Sequence, residues 1–384
     1  DGTIEYMLQL DYIIDSFSKT KVRKMKPFIR NLLRMSVYQI KYMDAVPDSA
    51  VCNEAVKLAK RHKFAQLSGF VNGVLRNIAR NIDSVQLDTL SIRYSMPQWI
   101  VDRFVAAYGE KKAEEIFKAF HSKSTISIRT NLTRCTPDEL RAMLEAEGVT
   151  VTAVDELNYA FVISGFDYLN SLQSFRDGLF YVQDISSMLV AQTAAPKKGD
   201  YVIDVCAAPG GKSTHIAELL QGSGHVLARD LTDNKVDMIE ENIERHGLNN
   251  MSAEVWDATV PDADSAGKAD ILICDLPCSG LGVLGRKKDI RYKMTPESVD
   301  ELAALQRQIL DTVHTYVKPN GVLVYSTCTI DEAENEDNVR WFIEKHPEFE
   351  LDKSFAEGTG MKQILPGEHG SDGFFIARFV KSKL

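Results

Sequence analysis

The sequence predicts an α/β protein: a parallel sheet with helices on both faces in the C-terminal half, preceded by an all-helical region and a small α+β module. Three observations carry that reading. From about Ser174 onward, short apolar runs alternate with helical patterns, the rhythm of strand–crossover–strand units. From Tyr6 to Arg80 apolar residues instead recur at spacings of three and four, as at Ile29, Leu32, Leu33, Val37 and Ile40. The length of 384 residues exceeds one ordinary core, so two or three domains are expected, and 44% hydrophobic content is ample for each.

Taken in order, the N-terminal helical pattern breaks at Pro47 and Asp48, restarts over Ser49 to Lys60 and begins again near Leu67, which delimits a helical domain over 1–81. Residues 82–170 hold helical stretches over Pro97 to Tyr108 and Glu110 to Phe120, then an alternating strand from Ile126 to Asn131. Thr136 opens a further helix as N-cap, with Glu139 at the capping-box position, and strands follow at Val149 to Val154 and Tyr159 to Ile163. This is a helical linker with a small α+β module, either an RNA-contacting platform or a spacer. Residues 171–384 supply strands at Tyr201–Val205, His225–Ala228, Ser252–Val255, Ile271–Cys274, Val322–Tyr325, Phe349–Leu351 and Gly373–Val380. In sheets of this kind ligands bind beyond the carboxyl ends of the strands. Every motif below falls at such an end.

No run of about 18 apolar residues is present to cross a bilayer, and no signal segment opens the chain. Six cysteines without a paired-spacing framework fit a reducing, cytoplasmic setting with free thiols. The first residue is Asp1 rather than Met, as expected of a piece of a longer protein. A net charge of −9 argues against nucleic acid as partner, but its distribution argues for it: residues 1–80 carry 14 Lys and Arg against seven acids, a surplus of +7 that leaves −16 for the remainder. Such asymmetry suits a basic module that neutralises phosphates attached to an acidic catalytic body; an ordinary solvated basic face is the plain alternative.

After the first strand of the C-terminal half comes Cys206-Ala207-Ala208-Pro209-Gly210-Gly211-Lys212, then a helix. Glycines at a strand–helix junction allow a ligand close to the backbone at the helix N-terminus. A Walker loop would need Gly where Cys206 stands, and the GxGxxG dinucleotide fingerprint is absent. Downstream, Asp230 follows the second strand, where a carboxylate can grip ribose hydroxyls, and Asp257 follows the third, where it can accept from an adenine amino group or merely cap a turn. The set fits S-adenosylmethionine, an adenosine with no phosphates to cradle.

Two further motifs end strands: Asp275-Leu276-Pro277-Cys278-Ser279-Gly280 and Tyr325-Ser326-Thr327-Cys328-Thr329. CAAPGGK, DLPCSG and YSTCT in this order resemble the Sun/NOP2 family of RNA 5-methylcytosine methyltransferases, and the likeness extends to LPGEHGSDGFFIARFVK near the C-terminus. VPDSAVCNEAVKLAK and FVNGVLRNIAR resemble the later part of a NusB-like RNA-binding domain, whose first helices would precede residue 1. With that domain in front, the likeness is to family members acting on small-subunit rRNA. It implies a Rossmann-like methyltransferase sheet, an RRM-like middle module, S-adenosylmethionine as cofactor and S-adenosylhomocysteine as product. It further implies that Cys328 adds to carbon 6 of cytosine, that Cys278 assists proton removal at carbon 5 and release, and that Asp275 hydrogen-bonds the base while Cys206 to Lys212, Asp230, Asp257 and Asp275 line the cofactor site. One departure is Lys288, where the pattern leads one to expect Pro before Asp289.

An ordinary cysteine is only a few per cent thiolate at neutral pH, so a cation beside Cys328 is expected, with Lys212 a candidate. Cys206 and Cys274, in or beside apolar strands, read as buried small hydrophobes, and no second ligand pair at zinc spacing accompanies Cys274 and Cys278. Arg286, Lys287, Lys288 and Arg291, with Tyr292 among them, read either as an RNA-backbone contact beside a flipped base or as a solvated basic loop. Gln183 and Asp184 read as pocket lining or as a helix cap. The expectation is therefore a monomeric, cytoplasmic rRNA methyltransferase without metal; a tRNA-directed relative and an inactive assembly factor are the alternatives.

Overall fold

In the computed structural model, which describes residues 1–122, 125–155 and 157–383, the chain divides into two units: 1–121 with 287–293, and 122–286 with 294–384. The first is helical. Its longer helices are α1 (Met7–Phe17), α2 (Pro27–Tyr42), α3 (Asp48–Arg61), α4 (Ser68–Asn81), α5 (Gln98–Tyr108) and α6 (Glu110–Phe120). The three-and-four spacing turns one stripe of each of α1 to α4 inward, so Leu10, Ile13, Leu33, Val37, Ala55, Leu75 and Ile78 form one core. Pro27 starts α2, where its missing N–H costs nothing. Phe104 and Phe117 stack between α5 and α6 at 5.8 Å.

The second unit opens with β1 (Ile126–Thr130), α7 (Pro137–Ala146), β2 (Thr150–Val154), β3 (Leu157–Ser164) and β4 (Phe180–Val182). The strands form an antiparallel sheet in the order β2-β3-β1-β4. The capping box of Thr136 and Glu139 is present at the start of α7. The domain division expected at 81/82 and 170/171 differs from this in two respects. Helices α5 and α6 count with the helical unit, and β4 lies beyond residue 170 yet completes the small sheet. Three residues after a positive-φ Gly178 are too short to announce a strand in sequence.

The large sheet follows: α8 (Ile185–Ala194), β5 (Tyr201–Asp204), α9 (Gly211–Leu219), β6 (His225–Asp230), α10 (Asp233–His246), β7 (Met251–Val255), β8 (Ala269–Asp275), α11 (Pro296–Val313), β9 (Val317–Thr327), α12 (Glu336–Lys345), β10 (Phe349–Leu351), β11 (Met361–Ile364) and β12 (Phe374–Lys381). Strand order is β10-β12-β9-β8-β5-β6-β7, with β11 also paired to β12. Strands β5 to β9 are parallel, β12 pairs antiparallel with β9, and β10 and β11 pair antiparallel with β12. Alternation sends Ile203, Leu272 and Leu323 to the face covered by α11 and α12, while Val202, Ile273 and Val324 meet α8, α9 and α10. Strand order reverses between β5 and β8, and the crevice at their carboxyl ends is where a ligand binds in such sheets.

Candidate functional site

The carboxyl ends of β5, β6, β8 and β9 deliver Asp204, Asp230, Asp275 and Thr327-Cys328 to that crevice. Between β5 and α9 the loop bends through Gly210 at φ +103°, a conformation that side chains with a Cβ rarely adopt. A Cβ on Gly211 would stand 3.1 Å from the Tyr181 ring. Asp230, 3% exposed, accepts the Ala208 N–H at 2.9 Å through one oxygen, and the Leu231 N–H and Lys235 Nζ at 2.8 Å through the other. Asp204 accepts from Ser213 Oγ at 2.5 Å, and burial pushes its carboxyl up to about 7.

Lys212 is not free to hold a phosphate. Its Nζ pairs with Asp275 Oδ2 at 2.5 Å, and Ser326 Oγ donates to Asp275 Oδ1 at 2.7 Å. Burial pushes the lysine's pKa down, but Asp275, Asp204 and the Cys328 sulfur outweigh it and raise it. A loop surrounded by Asp204, Asp230 and Asp275 repels phosphate and favours hydroxyls or a cation, so the residues present fit an adenosine carrying a sulfonium. Asp257 is exposed instead. One of its oxygens accepts from the Thr259 N–H at 2.8 Å and Oγ1 at 2.7 Å, which holds its carboxyl below the usual range. It caps its own turn, and that turn bonds back to β6 through the Trp256 N–H and the Asp230 carbonyl at 2.9 Å.

Cys278 and Cys328, each half-buried, stand with their sulfurs 3.2 Å apart. The bond to Cys328, then burial, pushes the Cys278 thiol well up. A buried polar frame holds both turns. Glu334, 0% exposed, accepts the Ser279 N–H at 2.9 Å and Ser279 Oγ at 2.5 Å; Gln306 Nε2 donates to Glu334 at 2.9 Å and to the Pro277 carbonyl at 2.8 Å. Asn335 accepts from Thr327 Oγ1 at 2.6 Å and donates to the Thr329 carbonyl at 3.1 Å, and Asn338 donates to Gln306 Oε1 at 2.7 Å. Glu334, Asn335 and Asn338 do not stand out in sequence, because they lie within the polar run Asp331-Glu332-Ala333-Glu334-Asn335-Glu336-Asp337-Asn338. The usable signal was position: polar residues a few places after a cysteine at a strand end. Of the two thiols read as small hydrophobes, Cys274 is 0% exposed and Cys206 half-buried, and burial raises the pKa of both.

The basic stretch is placed otherwise than a phosphate-binding loop requires. Arg286 pairs with Asp184 at 2.9 Å and Asp372 at 2.6 Å. Lys288 pairs with Glu5 at 2.5 Å within the helical unit. Arg291 is 0% exposed and lies by the Glu5 carbonyl, to which Tyr292 also donates at 3.2 Å. Lys287 is exposed. The Lys that replaces the expected Pro at 288 thus has an ion-pair partner of its own. Asp184 caps α8 through the Ser186 N–H at 3.0 Å, and Gln183 accepts from Arg129 Nε at 2.9 Å, so neither faces the crevice as a free group.

Three family models match the chain: the NusB family over residues 1–80, the RsmF/B-like ferredoxin-like domain over 96–166, and 16S rRNA methyltransferase RsmB/F over 191–380. Along 99% of the chain and 88% of its own length, "Probable ribosomal RNA small subunit methyltransferase B" of Bacillus subtilis is 38% identical. A protein of the same description from Synechocystis is 33% identical over 99% of the chain and 89% of its own length. The solved structure titled "Crystal Structure of PH0851" superposes with a TM-score of 0.85 at 27% identity, covering the whole chain and 88% of that structure.

Proposed function

The chain belongs to the 16S rRNA methyltransferase RsmB/F family, and on that premise we propose that it methylates carbon 5 of a cytosine in small-subunit rRNA through a covalent bond from Cys328. The observation that carries this reading is the pair of sulfurs 3.2 Å apart, beside the Lys212–Asp275 ion pair at the adjoining strand ends. S-adenosylmethionine, when bound against the Cys206–Gly211 loop and Asp230, supplies an electrophilic methyl group and leaves as S-adenosylhomocysteine. Asp257, exposed and capping its own turn, is assigned only an outer contact with the adenine edge.

Carbon 5 of cytosine is a weak nucleophile. A bond from the Cys328 sulfur to carbon 6 moves the carbon 5–carbon 6 π pair into the ring and gives carbon 5 enamine character. Cys328 is assigned as the attacking sulfur because it is the thiol whose charge couples to the Lys212 ammonium, while the contact with Cys328 and burial push the Cys278 thiol up. Asp275, held from both sides by Lys212 and Ser326, is assigned to hydrogen-bond the base near its ring nitrogen, its carboxylate accepting from that nitrogen once the nitrogen takes up a proton as the adduct forms. After methylation, Cys278, its own proton released to solvent, accepts the carbon 5 proton as a thiolate; the electron pair of that C–H bond re-forms the carbon 5–carbon 6 double bond, and the bond to carbon 6 breaks to expel Cys328 as a thiolate. Among the basic residues, Lys287 keeps the assignment as an RNA contact. Arg286, Lys288 and Arg291 are reassigned to internal ion pairs and packing.

Cys278→Ala should accumulate an RNA–protein adduct on a denaturing gel, and Cys328→Ala should form none; the reverse pattern exchanges the roles. Labelled methyl transfer onto unmethylated small-subunit rRNA and tRNA separates the substrate readings. Modification of tRNA alone would replace rRNA as substrate. No modified cytosine in either would leave the assembly-factor reading.

A further inference from the structure

Away from the crevice, the second unit carries a compact cluster of imidazoles and carboxylates. Asp311 lies in the last turn of α11, His314 on the 3-10 turn that follows, and His346 directly after α12. One oxygen or nitrogen from each lies within 4.8 Å of the other two. His346 is 6% exposed, and its Nε2 has no hydrogen-bond partner although Asp311 Oδ1 stands 3.2 Å away. A buried ring nitrogen that faces a carboxylate without sharing a proton is an arrangement native interiors avoid unless a cation or water lies between. The two rings sit with centroids 4.0 Å apart, tilted by 37°. Behind them Glu348 Oε1 lies 3.7 Å from His314 Nε2 and 3.9 Å from His346 Nδ1. A carboxylate so placed orients metal-bound imidazoles from their far nitrogens.

We propose that Asp311, His314 and His346 bind a zinc ion, with Glu348 orienting the rings and water completing the coordination. Two imidazoles and one carboxylate form the nitrogen–oxygen set that zinc accepts with four ligands; magnesium and calcium prefer oxygens throughout. The other carboxylate oxygen of Asp311 is held by Lys345 at 2.9 Å, which fixes the carboxylate. The placement gives the ion a purpose. Helix α11 carries Gln306 and α12 carries Asn338, both in the frame around the cysteine turns, and zinc at the ends of these helices cross-links them. The sequence concealed the site because its ligands spread from 311 to 346 without a short zinc-type spacing.

The test titrates the chelator-stripped full chain with zinc chloride alone, and with magnesium chloride as control. Both titrations use a Cys278→Ser/Cys328→Ser background, since two adjacent thiols also attract zinc. One zinc per chain is expected, with a raised melting temperature and no response to magnesium. Asp311→Asn, at an exposed carboxylate, and His314→Gln should each weaken zinc binding at least about tenfold. Less than one zinc per chain, or affinity unchanged in both variants, would overturn the proposal.

Discussion

The DLPCSG turn and the basic stretch from Arg286 to Arg291 are near neighbours in the chain, yet they differ in how their side chains are used. At the turn, Cys278 is left half-exposed against Cys328, while Ser279 and Pro277 are tied down by Glu334 and Gln306. In the basic stretch the charges are the tied-down groups: Arg286 lies against Asp184 and Asp372, Lys288 against Glu5, and Arg291 is buried. Chemistry is displayed where the surrounding polar groups are fully satisfied by others. Charge density along a sequence does not reveal whether the charges are already matched.

The largest effect expected from this contrast is at Glu334. Glu334→Ala leaves the Ser279 N–H and one of the two Gln306 Nε2 hydrogens buried without their acceptor, at a cost of about 3 kcal/mol. Methyl transfer should fall at least about a hundredfold, read as a loss in kcat with KM nearly constant, because the thiol turns lose their support. A variant with normal kcat would show that the frame is dispensable. Next is Arg291→Ala, which should destabilise the chain by about 2 kcal/mol in denaturant unfolding. Lys287→Ala should leave stability within about 0.5 kcal/mol. If Arg291→Ala weakened RNA binding while stability held, the two regions would not differ as described.

Legibility follows the same division. The strand–loop–helix rhythm, the acids after β6 and β7 and both cysteines were readable because each depends on residues close in sequence. Strands β4 and β11 were not. β4 has three residues, and β11 lies shortly after Gly358 and Gly360, both at positive φ. Glu334 was hidden by its acidic neighbours, since burial of one acid in a polar run is decided by what packs above it. The ion pair of Lys288 and the burial of Arg291 were not readable because Glu5, to which both turn, lies at the other end of the chain.

A smaller effect isolates the cation at the cysteine pocket. Lys212→Met removes the ammonium that faces Asp275 and Cys328. The midpoint of thiol alkylation against pH, read in a Cys278→Ser background, should rise by about one unit, equivalent to about 1.4 kcal/mol. An unmoved midpoint would assign activation of Cys328 to some other group.

Smaller again is Lys288→Ala, and its pH dependence is the informative part. Burial pushes the Glu5 carboxyl up, but its bonds to His121 and Lys288 outweigh this and hold it below its ordinary value of 4.5. A carboxyl with a lowered folded-state pKa contributes stability above the unfolded value and loses it as pH falls through the folded one. At pH 7 the variant should therefore lose under about 1 kcal/mol, as partly exposed ion pairs do. The difference from the parent should shrink as pH drops below 4.5, because protonated Glu5 no longer attracts the ammonium. A loss that stayed constant down to acid pH would mean that Lys288 acts through the packing of its aliphatic stem rather than through its charge.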